Sequence, residues 1–145
     1  MWSKLLLTDH SRSTLLVRMM VGTIFLSEGI QKFLFPAALG TGRFERLGFP
    51  DPGFFAGFVG TFEILCGLLV LLGLLTRFAA IPLIIIMLVS ITTTKIPILL
   101  DKGLWSMLHE GRTDWAMLLG ALFLFSKGGG AFSLDISISL FKRRH

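Results

Sequence analysis

The chain has 145 residues, of which 53% are apolar and only 16% charged, with fourteen Phe, three Trp and a mean hydropathy of +0.78. A soluble domain carries about a quarter of its residues charged, so composition excludes an ordinary soluble monomer and length excludes two domains. The net charge of +5 does not indicate nucleic acid, because the Lys and Arg punctuate long apolar runs instead of gathering on one solvated face. With Cys66 as its one cysteine, the chain has no intrachain disulfide and no dithiol.

In chain order, four segments approach the ~20 apolar residues that a membrane span needs. The first, about 14–35, contains Arg18, Glu28 and Lys32 and closes at Pro36, where a helix would lose a donor and clash. Its charges and the lack of a small-residue cleavage site distinguish it from a signal peptide, so it is read as retained. The second, about 53–75, holds one ionisable group, Glu63. The third, about 78–96, has Pro82 in its first turn and is ended by Lys95 and Pro97. The fourth, about 113–128, is short, with Trp105 and Trp115 near its start at headgroup level and the glycines Gly128 to Gly130 reversing the chain after it. Between the third and fourth lies a re-entrant or interfacial stretch, amphipathic through Leu100, Leu104, Met107 and Leu108. After the fourth, Leu134, Ile138 and Phe141 fall on one helical stripe ahead of Lys142, Arg143 and Arg144, which fits an interfacial helix on anionic lipid. The same run alternates at period two, so a strand stays open. The expected fold is one all-α integral membrane domain over residues 1–145, a membrane four-helix bundle with an amphipathic C-terminal tail.

An even number of spans leaves both termini on one side. The flanks on that side carry Lys4, Arg12, Arg77, Lys127, Lys142, Arg143 and Arg144, against Arg43, Arg46, Lys95, Lys102 and Arg112 in the two other loops, where acidic residues cancel them. This bias predicts cytoplasmic termini and a multi-pass protein of the plasma membrane.

A charge near the bilayer centre costs at least ~2.5 to 3.5 kcal/mol, so each should be paired, snorkelling or facing a polar cavity. Around the first helix Arg18, Glu28 and Lys32 lie on one stripe about 80° wide, with Gly22 and Gly29 beside it. Gly60, Glu63 and Gly67 share about 60° of the second helix. Two such faces should pack together, small residues admitting the neighbouring backbone and charges finding partners. Glu28 and Lys32, four apart with the acid first, are spaced to pair. Glu28, Lys32 and Glu63 fall ~10, ~5 and ~15 Å from the outer ends of their helices. Asp114, His109 and Glu110 lie near the same surface, whereas Arg18 is inner and can snorkel. The candidate site is therefore Glu28, Lys32, Glu63, Asp114, Arg18, His109 and Glu110. A structural ion-pair network and a substrate or proton site both fit Glu28, Lys32 and Glu63, and a polar surface loop fits His109, Glu110 and Asp114. No metal site is expected, since His109-Glu110 lacks the second histidine of a zinc helix.

Three blocks resemble DoxX-type membrane proteins: Arg18, Gly22, Gly29 and Lys32; Glu63 and Gly67 followed by Gly73-Leu74-Leu75-Thr76-Arg77-Phe78-Ala79-Ala80; and Asp114-Trp115 with Gly128 to Asp135. The family often places Glu and an aromatic where this chain has Asp114-Trp115, and this chain has no Tyr. The resemblance implies a four-span bundle associated in some members with quinone-linked oxidation. The expected function is a membrane subunit of an oxidoreductase system, with a polar pocket for a quinone or small substrate in which Glu63 is the central proton acceptor. Whether the chain is itself an enzyme stays open. It has no intrinsic cofactor motif, so electrons would pass through a bound quinone or a partner oxidoreductase subunit. A homo-oligomer, a small-solute or proton-coupled carrier and a non-catalytic scaffold are the alternatives; nucleic acid is not an expected partner.

Overall fold

The computed structural model describes residues 10–143, and side chains to residue 138. The N-terminal Lys4 and the C-terminal Arg144, counted above for orientation, lie outside the described residues. Every regular element among the described residues is helical: α1 (Thr14–Leu34), α2 (Thr41–Arg46), α3 (Pro52–Leu72), α4 (Thr76–Ser90), α5 (Ile96–Lys102), α6 (Leu104–Glu110), α7 (Arg112–Lys127) and α8 (Leu134–Arg143).

The long helices α1, α3, α4 and α7 form a closed ring, each packed on two others, with the α1–α3 and α4–α7 contacts the most extensive. Glycines explain the first. A Cβ on Gly29 would sit 2.7 Å from the Gly60 carbonyl oxygen, and one on Gly67 would sit 2.8 Å from the Leu26 nitrogen, so the two backbones touch where neither residue has a side chain. The interior is filled by Val21, Phe25, Val70, Leu83, Met117, Ala121 and Leu124.

The outside is as apolar as the inside. Leu16, Phe33, Phe54, Phe58, Leu65, Ile85, Leu119 and Phe125 are all exposed, Leu16 by 74%. A soluble monomer does not present apolar surface on that scale. Two helical segments are long and apolar enough to cross a bilayer: α3, and the continuous stretch Thr76–Lys102. At 21 residues α1 has the length but carries three charges, while α7, at 16 residues, is ~24 Å long.

One expectation needs correction, and one open choice is decided. The third segment begins at Thr76, which places Pro82 in the helix interior, and it does not stop at Lys95 and Pro97. It passes through one π-helical turn, Ile91–Lys95, and continues as α5 with Pro97 in the first turn. A proline clashes with the carbonyl four residues back, here on Thr93, and the wider turn makes room for it. The C-terminal run is a helix, not a strand, with Leu134 and Ile138 exposed.

Candidate functional site

The polar groups collect at two opposite ends of the ring. At the end formed by the C-terminal halves of α1 and α4 and the N-terminal halves of α3 and α7, a cavity of about 600 Å³ opens among the helices. Helix α2 borders it through Arg43 and Phe44. This short helix is held by Arg46, whose guanidinium donates to the carbonyls of Ala37 and Ala38 at 3.1 and 2.8 Å. Asp51 starts α3 beside it as an N-cap, its carboxylate accepting from the Phe54 amide at 3.2 Å, with Pro52 following.

Two ion pairs stand in the cavity wall. The Lys32 Nζ on α1 lies 2.6 Å from the Glu63 carboxylate on α3, with both side chains more than nine-tenths buried. Lys95 in the π-helical turn lies 3.2 Å from Asp114 on α7, which also accepts from the Ser90 hydroxyl at 3.2 Å. Glu28 and Arg43 complete the charged lining, and with all groups ionised the three cations balance the three carboxylates. The rest of the wall is apolar, with Phe25, Phe44, Phe49, Phe55 and Phe58 giving it flat faces. The Phe49 ring contacts both Phe44 and Phe55, with centroids 5.1 Å apart in each pair.

The structure thus brings together Glu28, Lys32, Glu63 and Asp114 at one cavity. Lys32 pairs across helices with Glu63, however, and not with Glu28 on its own helix, since the glycine contacts bring α3 within reach of the lysine. His109 and Glu110 are not part of it. His109 is exposed and within 3.0 Å of Arg112, and Glu110 is exposed opposite Lys102 at 3.8 Å, so both are surface groups of α6. Arg43, Lys95 and Ser90 line the cavity without having been singled out in the sequence, where the first two look like loop charges. The Thr92-Thr93-Thr94-Lys95 run ahead of Pro97 was the available signal. Trp105 is 83% exposed and Trp115 is packed against the core.

Arg18 belongs to the other end and does not snorkel. It is fully enclosed: Nε donates to Val70 O at 2.9 Å, Nη2 to Leu71 O at 2.5 Å, and Nη1 to Gly129 O and Phe132 O at 3.0 and 2.5 Å. One guanidinium therefore joins the end of α3 to the turn after α7. Gly73, at φ 68°, closes α3 there, and a side chain on it would collide with that guanidinium. Leu75 takes the left-handed conformation at φ 50°, unusual for a branched residue. It is held by Asp135, whose carboxylate accepts from Leu75 N at 2.7 Å and Thr76 N at 3.1 Å and so caps α4. Nothing in the wheel of the first helix pointed to Asp135, which is 117 residues away from Arg18 in sequence.

These features define an all-α protein with a lipid-compatible exterior, one sealed polar end and one hollow polar end. The DoxX family model matches residues 13–96, which include Glu28, Lys32, Arg43, Glu63 and Lys95. A Mycobacterium tuberculosis protein named uncharacterized membrane protein Rv3486 is 50% identical over 144 residues, covering 95% of this chain and 88% of that relative. No solved structure matches. The chain belongs to the DoxX family, and it is a membrane protein.

Proposed function

We propose that this DoxX protein is a four-span plasma-membrane subunit of an oxidoreductase system, with both termini cytoplasmic, and that its outer cavity receives a quinone head group or a substrate of similar size. The observation that carries this reading is the Lys32–Glu63 pair in the wall of a cavity otherwise faced with phenyl rings. A ligand pocket of 300–1,000 Å³ with an apolar lining and a few converging polar groups is the usual form of a small-molecule site. A flat ring fits between the phenyl faces, and lysine ammonium groups are donors for its oxygens. A quinone would supply two-electron chemistry there, with the electrons exchanged with a partner subunit. Glu63 would exchange the proton at the ring oxygen, Lys32 and Glu28 would set the charge around it, and Asp114, tied to Lys95 and Ser90, would hold the far wall.

A carrier receives less support. A route across the bundle would have to pass the Arg18 end, where backbone carbonyls and a guanidinium fill the space. The test is Glu63→Gln in native membranes: substrate-dependent quinone reduction should fall at least a hundredfold while the protein still assembles. Unchanged turnover in an assembled variant would remove Glu63 from the chemistry.

A further inference from the structure

The charges of the cavity are unequally committed. Lys32 and Glu63 are joined at 2.6 Å, and Lys95 and Asp114 at 3.2 Å. That leaves Glu28 and Arg43, which form no ion pair with each other or with any other described residue. Glu28 has a cation close by, because Lys32 lies one turn further along the same helix. Arg43 has no carboxylate of its own: Glu63 is near enough to feel its charge but is already joined to Lys32, and Glu45, two positions on, is directed away from it around α2 and is exposed. The neighbouring Arg46 has two backbone carbonyls for its guanidinium; the Arg43 guanidinium makes no hydrogen bond to any described residue. Its five N–H donors face a cavity next to the Phe44 and Phe49 rings. A half-buried guanidinium without acceptors is an arrangement that an oxyanion completes, since the planar fork matches two oxygens at once.

We propose that Arg43 is the anchoring cation of this cavity, and that the ligand is an amphiphile presenting an ionised oxygen to it with an apolar body against the phenyl rings. The inference rests on the cavity being a ligand site, as proposed above, and adds that the ligand is an organic anion. Arg43 is a specificity residue in this scheme; it does not touch the Lys32–Glu63 pair. Glu28, the uncommitted carboxylate, opposes the same ligand and limits its affinity. The two residues must therefore act with opposite sign.

The experiment uses the full-length protein in nanodiscs of zwitterionic lipid and two probes, an alkyl naphthoquinone and the matched alkyl hydroxynaphthoquinone, whose hydroxyl is ionised at neutral pH. Wild type should bind the ionised probe roughly tenfold more tightly than the neutral one. Arg43→Gln should abolish that preference, Arg43→Lys should keep part of it, and Glu28→Gln should enlarge it severalfold. Lys102→Gln, which removes the same charge from an exposed site outside the cavity, should leave the ratio unchanged. Neutral binding that persists while the ionised probe is bound no better overturns the anion assignment and leaves the pocket standing. Failure of both probes to bind overturns the pocket and this inference together. Equal losses for both probes in Arg43→Gln and Glu28→Gln would show a structural role and would also overturn it.

Discussion

The two ends of the helix ring are built from the same kinds of residue and come to opposite states. At the sealed end Arg18 meets four carbonyl oxygens, and Asp135 meets two amides. The partners of both side chains come from the backbone, at helix ends where such groups lack a full set of helical partners. At the hollow end the charges meet other side chains, in pairs that leave one arginine and one glutamate over, around a space of about 600 Å³. Backbone partners are fixed by the fold and leave nothing to exchange. Side-chain partners can be lent to a ligand. A buried charge is therefore evidence for a binding site only when its partners are themselves mobile or incomplete.

If that contrast holds, the largest loss follows from Arg18→Met. The substitution keeps much of the volume but takes the guanidinium from the carbonyls of Leu71, Gly129 and Phe132, each group left unsatisfied costing about 1–3 kcal/mol where water cannot replace the donor, while Val70 O keeps the Gly73 amide. The expected outcome is failure to recover monodisperse protein from membranes, measured by size-exclusion chromatography in mild detergent. Recovery with a normal melting profile would mean that the sealed end is not a fastening.

The Lys32–Glu63 pair should separate structure from activity. Lys32→Met or Glu63→Leu alone leaves an uncompensated buried charge and should destabilise by about 3–5 kcal/mol, whereas the two together remove both charges and should recover most of that loss. Thermal unfolding of the three variants in detergent reads the coupling. The double variant should nonetheless be inactive in quinone reduction. Activity in it would make the hollow end a second structural fastening and erase the difference between the two ends.

Most of the bundle was legible because its signals are local or periodic. Apolar runs gave the four long helices, and the glycines in register with Arg18, Glu28, Lys32 and Glu63 gave the α1–α3 contact. What was not legible depends on partners far away in sequence. The spacing of Glu28 and Lys32 favours a pair on one helix, but the close approach of α3 offers Lys32 a partner on the facing helix, and only tertiary geometry decides between them. Lys95 looked like the end of a helix because a proline follows two residues later; the π-helical turn carries the helix past both and puts the lysine in the cavity wall. His109 and Glu110 shared a sequence neighbourhood with Asp114, yet Gly111 separates α6 from α7 and the two helices place them differently.

The smallest effect expected is at Asp135. Its carboxylate caps α4 through Leu75 N and Thr76 N, and its own amide donates to Gly73 O at 2.9 Å, so it fastens the chain after α7 to the start of α4. Asp135→Ala keeps the amide bond and loses the cap, which costs about 1–2 kcal/mol. The loss should be localised. Leu75 holds a left-handed conformation that the cap helps to maintain, and Arg18 still has Val70 and Leu71 to bind. Limited proteolysis should therefore release the segment beyond residue 127 earlier than in wild type, while probe binding at the cavity stays within twofold, about 0.4 kcal/mol. A change at the cavity as large as the change at the C-terminus would show that the two ends are coupled through α4, whose first residues Asp135 caps and whose last turn carries Ser90.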